Sequence, residues 1–136
     1  MKIKECTIED VPLLAKLYKL FFEEEKSETN LHLPHLEERM RGYINSEFKA
    51  FLFLQDDKIV GYTLCDISKT PVYLRQFFIS REERRKGYGK QALAMVMDHL
   101  NIKDSNIDAY HWDDSGSSFL KSVGIKPQRS KSTYSK

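Results

Sequence analysis

At 136 residues, 40% hydrophobic and 31% charged, the chain is long enough to bury a core without disulfides or metal, and its composition argues against a disordered protein. A formal net charge of +2 is too small to argue for nucleic acid or membrane, so any charge argument must be local. Cys6 and Cys65 are far apart and form no CxxC, which argues against a disulfide framework or a thiolate zinc site and leaves two small buried hydrophobes. The opening MKIKECTIEDV has no apolar stretch of signal-peptide length, and the most apolar run, Ala50 to Leu54, is far short of a membrane span. The expectation is a soluble, cytoplasmic protein with one domain over 1–136.

Lys2 to Cys6 reads as a short strand, and Thr7 followed by Asp10 has the spacing of an N-cap with a capping-box acid. Val11, Leu14, Leu17, Tyr18, Phe21 and Phe22 recur at helical spacing, predicting a helix to about Phe22, then a polar loop from Glu23 to Pro34 and a second helix over Leu36 to Ile44. Lys49–Leu54 and Ile59–Ile67 read as strands joined by the turn Gln55–Lys58, with a third strand over Val72–Ile79. Leu93, Val96, Met97 and Leu100 share one face of a helix from Tyr88 to Leu100. Ile107–Trp112 reads as a strand, Ser117–Val123 as a short helix ending at Gly124, and the tail after Pro127 as edge strand. The order implies an α+β fold, a mixed central β-sheet flanked by helices.

The chemistry concentrates between Phe77 and Lys90. An apolar strand runs into a basic loop, and Gly87 and Gly89 sit where a helix begins. Helix N-termini offer unpaired N–H groups and partial positive charge, glycines let a phosphate approach the backbone, and Arg84, Arg85, Lys86 and Lys90 add cations. The competing reading is a solvated basic turn, but the coincidence of strand, cations, glycines and helix start favours a pyrophosphate site. A Walker loop and a Rossmann fingerprint both fail on spacing.

Arg84-x-x-Gly87-x-Gly89 resembles the [Q/R]-x-x-G-x-[G/A] motif of the GNAT superfamily of acyl-CoA N-acyltransferases. Ile79 falls where that family ends its bulged central strand. Asp113-x-x-Gly116-x-x-Phe119-Leu120-x-x-x-Gly124-Ile125 resembles the family's second motif, and Arg75-Gln76-Phe77-Phe78-Ile79 is similar to a bacterial branch. The resemblance implies the GNAT-like fold and transfer of an acetyl group from acetyl-CoA to a primary amine, with no metal. It implies that amides of Arg85 through Lys90, Tyr88 among them, cradle the pyrophosphate. The main chain of Phe77 and Ile79, beside Phe78, would pair with the pantetheine arm. An N–H near Ile79 would polarise the thioester carbonyl.

For proton transfer the resemblance places a base at Asp108, acting through water; an outward-facing strand Asp is the competing reading. Leu120 stands where many members carry the acid Tyr, which leaves Tyr110, His111 or Tyr134, or approximation alone, and keeps open a CoA-binding regulator without turnover. The acids Glu23, Glu24, Glu25 and Glu28 read either as a solvated charge run or as a lip for a cationic amine. His32 and His35 read as an ordinary polar loop. Glu82 and Glu83 dilute the basic cluster, which speaks against nucleic acid as partner. Family habit leaves a homodimer open through a sheet edge or the tail.

Overall fold

The computed structural model describes residues 1–25, 31–68, 70–102, 107–110 and 127–128, with Glu25 and the last two segments described by backbone. Its elements are β1 (Lys2–Glu5), a 3-10 turn (Ile8–Asp10), α1 (Val11–Glu25), α2 (Leu33–Ile44), β2 (Phe48–Gln55), β3 (Lys58–Asp66), β4 (Val72–Ile79), a second 3-10 turn (Arg81–Glu83), α3 (Tyr88–Leu100), β5 (Ile107–Tyr110) and β6 (Pro127–Gln128). The strands form one sheet in the order β1-β2-β3-β4-β5-β6, antiparallel through β4 and parallel from β4 to β6. This is the expected α+β arrangement with a mixed sheet.

The helices cover both faces. Val11, Leu14, Ala15, Tyr18 and Phe21 of α1, with Leu36 and Met40 of α2, pack on Ala50, Leu52, Tyr62, Leu64 and Phe78. On the opposite face Ala92, Leu93 and Val96 of α3 pack on Phe51, Phe53, Val60, Cys65 and Leu74. Alternate strand residues thus feed two separate cores, and a fully buried side chain such as Phe51 contributes about 1.5–3 kcal/mol.

Local chemistry explains the element ends. Asp10 Oδ2 accepts from Thr7 N at 2.9 Å and Thr7 Oγ1 accepts from Glu9 N at 3.3 Å, the capping box expected, here closing the 3-10 turn that leads into α1. Two helix boundaries lie about three residues from the sequence expectation, while β1, β2 and β3 differ from it by single residues at their ends. α1 runs to Glu25 rather than about Phe22, since glutamate is a good helix former and Glu24 finds cationic partners. α2 begins at Leu33 rather than Leu36, because Pro34 lies in its first turn, where no N–H is required. The helix expected over Ser117–Val123, and the second motif around it, lie outside the described residues.

Cys6 and Cys65 are buried and free, and burial pushes each thiol up to about 12. Neither is a thiolate at neutral pH. Native protein should therefore leave both unlabelled by a thiol reagent and denatured protein should label both; rapid native labelling of either would contradict this burial.

Candidate cofactor site

The site begins with a defect in the sheet. The β3–β4 register pairs Leu64 with Gln76 but Cys65 with Leu74, so Arg75 is an extra residue in β4. A bulge bends its strand and increases its twist. The parallel ladder to β5 spans only Val72–Leu74, opposite Ile107–Ala109, and ends at this bulge, while β4 continues to Ile79. Arg75 Nε donates to Tyr43 Oη at 2.9 Å, anchoring the bulge to α2. Ser80 N donates to Val60 O at 2.8 Å, so by strand alternation the N–H and C=O of Phe77 and Ile79 face the side that β5 has left. Gly61 lets β3 approach this end of β4: a Cβ there would lie 2.1 Å from Phe78 O.

After β4 the 3-10 turn delivers the basic loop to α3. Arg85 (φ 65) and Gly87 (φ 80) both adopt the left-handed region. Left-handed residues within a turn direct successive amides toward one concavity, which suits an anion. Gly87 is the N-cap of α3 and gives it no side-chain cap hydrogen bond. Arg84, Arg85, Lys86 and Lys90 are exposed around it. Unsatisfied helix N–H groups, partial positive charge and surrounding cations are what a pyrophosphate requires, so the residues present fit the nucleotide end of CoA.

The cations have definite partners. Arg84 Nε donates to Ile79 O at 2.8 Å, while its terminal nitrogen and Arg81 both pair with Glu24 at the end of α1. Glu24 is therefore an ion-paired residue rather than part of a solvated run. Glu83 is buried, with Lys58 from the start of β3 on one carboxylate oxygen and Lys86 Nζ at 3.1 Å from the other. Both lysines stay largely exposed, so they cover the carboxylate and keep their remaining donors outward.

Lys58, then Lys86, hold the Glu83 carboxyl below its ordinary value of 4.5. A carboxyl with a depressed folded pKa stabilises the fold above its unfolded pKa and loses that contribution as pH falls through the folded value. The melting temperature should accordingly fall as pH drops below 4.5 toward the lowered folded value, and Glu83→Gln should flatten that fall; an unchanged profile in the variant would contradict the assignment.

An open pocket of about 400 Å³ adjoins the end of β4 on the α1 side. Leu20 and Phe78 line its apolar part, and Glu23, Glu24, Arg81 and Glu82 its polar part. Asp108 lies opposite Tyr73 in the β4–β5 ladder, and Tyr110 lies beyond that ladder, opposite Gln128 of β6. His111, Leu120 and Tyr134 lie outside the described residues. Among the described residues no three His, Cys, Asp or Glu side chains gather as a metal site, and no helix is long and apolar enough to cross a membrane. The contributions of Lys58, Glu83 and Gly61 were missed in sequence. Only Gly61, an isolated glycine inside a strand, carried a signal of close backbone approach.

The family model described as an acetyltransferase (GNAT) domain matches residues 20–113, a segment that holds β2 to β4, the basic loop and α3. The chain is similar in structure to the aminoglycoside acetyltransferase meta-AAC0020 from an uncultured soil metagenomic sample, solved with sisomicin (20% identity, TM-score 0.70, 95% of this chain and 90% of that one). It is similar also to a possible acetyltransferase from Clostridium difficile 630 (16%, TM-score 0.72, 95% and 92%). A third likeness is to a predicted acetyltransferase from Clostridium acetobutylicum solved with acetyl-CoA (15%, TM-score 0.71, 95% and 90%). At these identities the likeness shows a shared fold. No curated protein matches the chain at a significant level. With the family model spanning more than half of it, the chain belongs to the GNAT acetyltransferase domain family.

Proposed function

We propose that the protein is an N-acetyltransferase that moves an acetyl group from acetyl-CoA to a primary amine by direct attack. The observation that carries this reading is the junction of two features: a bulged β4 whose end stays paired with β3 but has parted from β5, and a left-handed basic loop opening an uncapped helix. When bound, acetyl-CoA supplies an acyl group already activated as a thioester. Loop amides and Arg85, Lys86 and Lys90 hold the phosphates, and Ile79 N–H serves as hydrogen-bond donor to the carbonyl that develops charge. The Asp108 carboxylate takes the amine proton through water, with Tyr110 or His111 as donor to the leaving sulfur.

The acceptor on this reading is a cationic amine entering the pocket beside Leu20 and Phe78, with Glu23 attracting its charge; an acidic rim on a fold shared with an aminoglycoside acetyltransferase supports that class. A second reading, a CoA-binding regulator without turnover, draws on Leu120 at the place of the usual tyrosine. The test is thiol release from acetyl-CoA across a panel of aminoglycosides, polyamines and lysine peptides. Amine-dependent release, with the acetylated product seen by mass, is expected; binding of acetyl-CoA with no release for any amine would favour the regulator.

A further inference from the structure

Glu83 stands out because a buried carboxylate here holds two lysines from different parts of the chain. Lys86 is its near neighbour and immediately precedes the N-cap of α3. Lys58 comes from the β2–β3 hairpin, whose two-residue turn, Asp56 (φ 53) and Asp57 (φ 66), is of the left-handed kind that makes tight hairpins. The register that sets Gly61 opposite Ile79 brings the start of β3 beside the chain leaving β4. Two ammonium groups on one carboxylate must be neighbours. The Lys86 ammonium lies 5.9 Å from the Tyr88 ring centroid.

One negative charge between two positive ones leaves a surplus of +1. Each ammonium has three donors and spends one on Glu83, which leaves two on each exposed lysine, and Lys86 directly precedes the N-cap of α3. Without Glu83 the two cations would repel one another and separate. We propose that Lys58 binds a phosphate of the nucleotide end of CoA, and that Glu83 is the positioning residue that holds Lys58 and Lys86 for it. The proposal rests on the acetyl-CoA reading and extends the anion site to a hairpin remote from the glycine motif.

The test is calorimetric titration of the full chain with acetyl-CoA and with dephospho-CoA. Lys58→Met, at an exposed position, should weaken acetyl-CoA about five-fold, and Lys58→Arg should retain affinity. A loss that vanishes with dephospho-CoA assigns Lys58 to the 3′-phosphate, and one that persists assigns it to the pyrophosphate. Glu83→Gln distinguishes positioning from simple charge: removing a negative charge alone would tighten an anion, whereas loss of positioning weakens it. Wild-type affinity in Lys58→Met, or tighter binding in a folded Glu83→Gln, would overturn the proposal. A wild-type protein that binds neither ligand would instead bring down the acetyl-CoA reading beneath it.

Discussion

Replacing Gly87 by Glu should abolish binding of acetyl-CoA. Gly87 has φ 80, a conformation that costs an L-residue about 1–2 kcal/mol, and an added Cβ meets nothing within 4 Å in the ligand-free protein. The fold should therefore survive with modest loss, while a carboxylate stands at the helix N-terminus where the phosphates belong. The readout is thermal. Acetyl-CoA at about one hundred times its Kd stabilises a protein by about 2.7 kcal/mol, or about 8 °C at this size, and the variant should show no shift. Gly87→Ala separates strain from charge: it should melt lower by about the same amount as Gly87→Glu yet keep a measurable ligand shift. A full shift in Gly87→Glu would place the phosphates elsewhere.

The second large effect is expected at Gly61. A Cβ there would lie 2.1 Å from Phe78 O and 3.1 Å from Ile79 Cα, and both neighbours are backbone that cannot turn aside. Gly61→Ala must push the end of β4 away from β3, at a cost of about 3 kcal/mol, near 10 °C in melting temperature. Because that end carries Ile79, the displacement should weaken acetyl-CoA binding too, although Gly61 touches no part of the proposed ligand path. A melting point within about 2 °C of wild type would mean that the two strands separate without penalty.

Most of the architecture was legible because it rests on periodicity. The α1 face, the β2–β3 hairpin, and the limits of β4 and α3 follow from apolar spacing and glycine placement, and the structure returns Val72–Ile79 and Tyr88–Leu100 as read. The glycine loop was legible for a different reason: glycines, cations and a helix start fall within a few residues of one another. What escaped depends on contacts distant in sequence. Glu83 looked like dilution of a basic run, but it becomes an organising carboxylate once the β3 register brings in Lys58. Glu24 looked like one acid among several on a solvated run, but Arg81 and Arg84 lie 57 and 60 residues away and meet it only through the fold. A bulge in β4 was implied only by the family resemblance, and its place at Arg75 has no local signature, since it is a property of two strands rather than one.

The acetyl-CoA site is tested most directly by calorimetric titration of acetyl-CoA into the wild-type protein. One-to-one binding with a Kd on the order of 10 µM is the expected result. Absence of binding by a folded protein would contradict the site, and with it the acetyl-transfer reading built on the loop from Arg84 to Lys90.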